Sequence, residues 1–151
     1  MTDNSLKPLL QEAVNSFLKA QEKEKTVTLR MALSEIKKEE IDKKTDLNDQ
    51  EVISILQRMI KQRKDSSSQF KSAGRDELAQ KEEREIKTLS EFLPEQLSEE
   101  EIKDLVTKSI IDLNAETPKD IGKVMGFLKS NLQGKADMSL VSKLVKENLI
   151  K

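Results

Sequence analysis

Apolar residues recur along this chain at spacings of three and four, and nowhere alternate as a half-buried strand would require. Leu6, Leu9, Leu10, Ala13, Val14, Phe17 and Leu18 predict a first helix from about Ser5 to Ala20. Leu29, Leu33 and Ile36 predict a second, from about Thr26 to Asp42. Asn48, with Glu51 three residues on, has the spacing of a capping box, in which each side chain satisfies the other's backbone amide. It opens a third helix reaching about Ser72. Gly74 breaks that helix, and a fourth runs from about Arg75 to Phe92. Pro94 cannot continue a helix, so Leu93-Pro94-Glu95-Gln96-Leu97 is the natural linker.

Beyond the linker, Ser98 and Glu101 have the spacing of a second capping box, starting a helix to about Leu113. Thr117-Pro118 reads as an N-cap followed by proline at the first helical position. Ile121, Val124, Met125, Leu128 and Leu132 carry that helix to a stop at Gly134, and Asp137 opens the last one. The pattern predicts an all-α protein without internal repeats. It places a four-helix unit in residues 1–92 and a three-helix unit in residues 93–151.

The last thirty residues are the most specific. Two short amphipathic helices are joined there by Gly134-Lys135-Ala136-Asp137, with Asp120, Gly122, Lys123, Val124 and Met125 before the turn and Val141, Val145 and Leu149 after it. These residues resemble the tail of the GatB/YqeY family, shared by the B subunit of the tRNA-dependent amidotransferase and free-standing YqeY-like proteins. Leu29-Arg30, Lys61-Gln62-Arg63, Asp65-Ser66, Gly74-Arg75, Leu78-Ala79, Glu82, Glu85 and Leu93-Pro94 resemble the free-standing branch. The resemblance implies a tail domain that binds tRNA and does no chemistry itself. Family-level transfer implies carbon–nitrogen ligase activity with glutamine as amido donor. This chain has no Ser/Lys amidase signature, Cys nucleophile or ATP loop, so it would serve such an activity only as an accessory.

Composition narrows the chemistry. Charged residues make up 36% and aromatics 3%, with a mean hydropathy of −0.64, lean but sufficient for helices that pack along one stripe. Without Cys there is no disulfide, thiolate nucleophile or zinc–sulfur site, and without His no imidazole base and no ordinary transition-metal site. Carboxylates, Lys or Ser are still open to catalysis, but no Ser lies in a nucleophile-elbow pattern and no Gly-rich loop resembles a P-loop; binding is expected, with no catalytic residue assigned and no cofactor or metal. Apolar runs are too short for a membrane span, and Met1-Thr2-Asp3-Asn4 carries neither a basic region nor an apolar core. The cytoplasm is the expected compartment.

Arg63 is conspicuous because it falls in the middle of the apolar face that Val52, Leu56, Met59, Ile60 and Phe70 define on the third helix. On the fourth, Leu78, Ile86 and Leu89 define a face that also carries Glu82 and Glu85, with Arg75 at its start pointing the same way. A short turn makes the two helices antiparallel neighbours, so Arg63 should meet Glu82 or Glu85. Such a cluster is either a structural ion pair or a polar pocket for a small anion or amide.

Charge is segregated although the net charge is only −1. Residues 58–75 hold six basic residues against Asp65, residues 119–146 hold six Lys against Asp120 and Asp137, and residues 95–118 hold two Lys against seven acids. Lys123 and Phe127 lie opposite the apolar stripe, one turn apart, on a helix whose flank is smoothed by Gly122 and Gly126. Lys135 sits beside the N-terminus of the last helix, which bears Lys143 and Lys146. Lys123, Lys135, Lys143 and Lys146 are the candidate phosphate contacts, and Phe127 is the candidate platform for an unpaired base. The functional expectation is an accessory that binds tRNA or a tRNA-handling protein; the alternative is a helical protein-interaction adaptor with no RNA role.

Overall fold

The computed structural model describes residues 5–132 and 134–149; residues 1–4, on which the expectation about a leader rests, lie outside these. Among the described residues the order is α1 Leu6–Lys19, α2 Lys23–Lys43, α3 Asp49–Ser72, α4 Asp76–Ser90, α5 Glu99–Asp112, α6 Ile121–Leu132 and α7 Met138–Leu149. No strand occurs among them. None of these helices is long and apolar enough to cross a membrane.

Local chemistry explains most helix ends. The Asn48 side chain accepts from the Glu51 amide at 2.9 Å, and the Glu51 carboxylate accepts from the Asn48 amide at 3.3 Å. At α5 the Ser98 hydroxyl accepts from the Glu101 amide at 3.1 Å. Gly74 and Gly134 stand at φ +73° and +82°, a left-handed conformation that a side chain disfavours, and each follows the end of a helix. The Asp137 carboxylate accepts from the Ser139 amide at 2.9 Å and so starts α7.

Two starts differ from the sequence expectation. Helix α2 begins at Lys23 rather than near Thr26, with the Thr26 amide donating to the Glu22 carbonyl at 3.0 Å, and Thr26 and Thr28 return their hydroxyls to the carbonyls of Glu22 and Glu24. These hydrogen bonds let both threonines be buried within the helix. Pro118 opens a 3-10 turn, Pro118–Asp120, instead of an α-helix, and α6 follows at Ile121. The Asp120 carboxylate accepts the Glu116 and Thr117 amides at 2.9 and 3.2 Å.

Contacts divide the chain into two compact units, one up to Leu93 and one from Pro94 onwards. In the first, α1 packs on α2 and α3, α2 on α3 and α4, and α3 on α4. Leu10, Leu29, Ile36, Val52, Leu56 and Leu89 form its centre. In the second, α5, α6 and α7 pack pairwise around Val106, Val124, Leu128, Val141 and Val145. Each unit thus buries its apolar stripes in its own core.

Three polar ties, each far apart in sequence, brace the first unit. Asp49 accepts the Leu6 amide at 2.9 Å and so caps α1 from the start of α3. Glu40 accepts from Lys7 at 2.7 Å and from the Leu47 amide at 3.0 Å, joining α1, α2 and the following loop. Arg84 grips Glu24 with two nitrogens, at 2.8 and 3.4 Å.

Several residues expected in the apolar faces are exposed. Leu9 and Leu18 keep 51% and 53% of their surface in water, because they flank the Leu6–Leu10–Val14 line on opposite sides. On α4, Leu78 is exposed and Ala79 is buried, and on α3 Phe70 is only half-buried. Towards the turn at Gly74 the buried residues are Ser67 and Ala79, and Arg75 is exposed instead of facing α3. Small side chains let the two helices approach there, and the larger ones turn outwards.

The linker is held at both edges. The Phe92 and Leu93 amides donate to Leu89 and Ser90, the Leu97 amide donates to the Lys135 carbonyl at 2.9 Å, and the Gln96 side chain donates to the Gly134 carbonyl at 2.6 Å. Half-buried Pro94 and exposed Glu95 remain between these anchors. A glutamate-specific protease should therefore cut first at Glu95, releasing an N-terminal fragment that stays helical by circular dichroism. The C-terminal fragment, at fewer than about 60 residues, should be marginal alone. Resistance of Glu95 while exposed helix sites are cut would count against separable units.

Candidate functional site

The polar cluster between α3 and α4 starts from a helix position that the first core would otherwise fill with an apolar side chain. Arg63 is 8% exposed, one turn beyond buried Met59 and Ile60. Its Nε donates to Glu85 Oε2 at 3.0 Å and its Nη1 to the Met59 carbonyl at 3.2 Å. Its Nη2 reaches the sulfur of Met31 on α2, at 3.8 Å. Further along α3, the Ser67 hydroxyl donates to Glu83 at 3.3 Å, and Lys71 pairs with the same carboxylate.

Of the two α4 glutamates expected to meet Arg63, Glu85 takes the guanidinium and Glu82 lies beside the pair. Burial pushes the Glu82 carboxyl up from its ordinary range, the neighbouring Glu85 adds to the rise, and Arg63 offsets it in part. A raised folded-state value means that Glu82 supports the fold when protonated, below the ordinary glutamate range. That support is lost as pH rises through the raised value. Glu82→Gln, neutral at every pH, should accordingly stabilise the protein at neutral pH, on the order of 0.5–1 kcal/mol. The gain over the parent should shrink as pH falls into the acid range, which thermal melts at a series of pH values will read. A destabilised variant at neutral pH would place Glu82 in a favourable charge pair instead.

A groove of about 580 Å³ runs between α2 and α3 beside this cluster, lined by Met31, Glu35, Lys38, Glu39, Asp42, Lys43, Arg58, Met59, Gln62 and Arg63. Its charges are largely matched: Arg58 pairs with Glu35 at 3.5 Å, and Lys43 with Glu39 and Glu51 at 3.2 and 3.0 Å. The basic run from Arg58 to Arg75 is thus partly matched, with Lys61, Lys64 and Arg75 exposed. Arg58, Arg63 and Lys71 meet acids supplied by α2 and α4.

In the second unit, the buried line Val124–Leu128–Leu132 turns the opposite face of α6 outwards, where Phe127 is 45% exposed. Nothing stands within 4 Å of where a side chain would begin at Gly122 or Gly126, so this flank is open. Lys123 is already engaged: its ammonium donates to the Leu113 carbonyl at 2.9 Å and completes the C-terminal end of α5. Lys135, Lys143 and Lys146 are exposed, with Lys143 and Glu147 4.0 Å apart. The start of α7 carries its own anion, the Asp137 carboxylate, which weakens the case for an external phosphate beside Lys135. Lys143 and Lys146 share a shallow surface on α7 with Ser139, Ser142 and Glu147.

Sequence reading missed the Asp49 cap, the Glu40 hub and the Glu24–Arg84 pair. Their partners lie 43, 33 and 60 residues apart, beyond the reach of any local pattern.

A family model described as Yqey-like protein matches residues 7–149. An altered inheritance of mitochondria protein 41 from Pyrenophora tritici-repentis is 30% identical over 148 residues, covering 96% of this chain and 81% of its own length. Its namesake from Vanderwaltozyma polyspora is 31% identical over 139 residues, covering 87% and 75%. An uncharacterized protein of Schizosaccharomyces pombe is 36% identical over 94 residues, covering 62% and 76%. The names of the two protein 41 relatives place those proteins in mitochondria. Because the family match begins within α1, ends with α7 and takes in both helical units, this chain belongs to the Yqey-like protein family.

Proposed function

We propose that this protein is a non-catalytic accessory that binds tRNA, or a protein that handles tRNA, through the outer surface of its second unit. The supporting observation is Phe127, a large aromatic ring left in water beside an open glycine flank, on a helix that packs against the lysine-bearing α7. An exposed ring offers a stacking surface for an unpaired base, and ammonium groups offer phosphate contacts. The resemblance to the amidotransferase tail domain favours RNA over other polyanions. The ligase activity implied by family-level transfer would then belong to a partner enzyme. The compartment is part of the proposal: the cytoplasmic expectation stands beside relatives named as mitochondrial, and tRNA is handled in both places.

Titration of fluorescent tRNA, followed by anisotropy at several salt concentrations, tests this reading. Binding that weakens steeply with salt supports it. No binding at low salt, together with salt-tolerant capture of one protein partner, would establish the adaptor reading. That second reading has its own observation, the exposed apolar residues Val27, Met31 and Ile41 along α2.

A further inference from the structure

We propose that Met31 is an oxidation site whose sulfoxide is received by Arg63, so that oxidation tightens the junction of α2, α3 and α4 instead of loosening it. Two independent observations meet at this sulfur. The first is access. The chain has no cysteine, so methionine is its oxidisable sulfur. Met31 is 45% exposed on the wall of the α2–α3 groove, whereas Met59 is 3% exposed and Met125 and Met138 are partly buried in the second core. Of the four methionines among the described residues, Met31 is the most accessible to a peroxide in solution.

The second is what waits beside it. A thioether is a weak acceptor, yet the group facing it is the guanidinium of a residue more than nine-tenths buried. Nε and Nη1 of that guanidinium already have oxygen acceptors in Glu85 and Met59. Nη2 donates to the Met31 sulfur at 3.8 Å. Oxidation by a hydroperoxide transfers one oxygen to the sulfur: the thioether is oxidised by two electrons, the O–O bond breaks, and the peroxide leaves as water or an alcohol. The new S–O group is a strong acceptor with a partial negative charge on oxygen. One bond length from the sulfur, that oxygen meets the Nη2 donor that now faces the thioether, and the charged donor makes the contact stronger than a neutral hydrogen bond. In most cores the same modification places a polar group among apolar ones and destabilises. Here it replaces a weak sulfur acceptor with a strong oxygen acceptor facing a charged donor.

The full-length protein should be exposed to a hydrogen peroxide series, digested and mapped by mass spectrometry. Of Met31, Met59, Met125 and Met138, Met31 should be first to gain the roughly 16 Da of one oxygen. At the dose that modifies Met31 alone, the melting temperature should hold or rise. Met31→Gln, which offers a side-chain oxygen at a similar reach, should melt about 2–4 °C above Met31→Leu, which offers none. Earlier oxidation of Met125 or Met138 would overturn the assignment of the site. A lower melting temperature on selective oxidation, or Met31→Gln melting no higher than Met31→Leu, would overturn the role given to Arg63.

Discussion

Arg63→Ala should destabilise the first unit by about 3–5 kcal/mol, the cost of breaking an ion pair removed from water. The pair qualifies because both side chains are nearly sealed, at 10% exposure for Arg63 and 12% for Glu85. Truncation strands the Glu85 carboxylate next to Glu82, already reluctant to ionise, and removes the guanidinium that is hydrogen-bonded to Glu85. It also leaves a cavity one turn beyond Met59. The double variant Arg63→Met, Glu85→Leu should recover much of the loss, because an apolar pair of similar volume needs no charge compensation. Adding Glu82→Leu should recover more. Chemical denaturation with a helical readout measures all of these. If Arg63→Ala unfolds at the parent's midpoint, the guanidinium contributes nothing to the fold, and a binding role for it moves forward.

Neutralising Lys135, Lys143 and Lys146 together, each to Gln, should flatten the log–log salt dependence of tRNA binding by about two to three units, as expected for three phosphate contacts. Affinity at low salt should fall accordingly. The three side chains are exposed, so the helical signal and melting temperature should stay close to the parent's. Phe127→Ala should weaken binding by roughly 1–3 kcal/mol if the ring stacks on a base, with little change of slope. Lys123→Gln separates two roles. It removes the hydrogen bond to the Leu113 carbonyl, so its main effect should be on the end of α5 and not on the salt slope. Equal affinity of parent and triple variant at every salt concentration would remove this surface from consideration.

Much of the fold was legible because helix ends are decided within about four residues. Asn48 with Glu51, the glycines at 74 and 134, Pro94 and Asp137 each act on backbone groups next to them in sequence. Three left-handed residues that are not glycine escaped notice. Asn114, just after α5, is of a type that tolerates this conformation, whereas Gln21 and Lys44 carry no such signal. The candidate site was legible in part. Periodicity put Arg63 on an apolar face and two glutamates opposite it, but left open which of them it would meet.

The sequence by itself determined which residues are helical, where the chain breaks and which side of each helix is broadly apolar, because these follow from backbone hydrogen bonding and a fixed period of 3.6. Only the tertiary structure decided how each helix is turned towards its neighbours. That rotation put Leu9, Leu18 and Leu78 in water and Ala79 and Ser67 at a contact. It gave the Arg63 guanidinium to Glu85, left Glu82 desolvated beside it, and set the Met31 sulfur at the remaining nitrogen. It also paired Arg58 and Lys71 of the basic run with acids and drew Lys123 onto a carbonyl. The reason is physical: a side chain's partner across a helix interface depends on packing between residues tens of positions apart, and no local pattern encodes that distance.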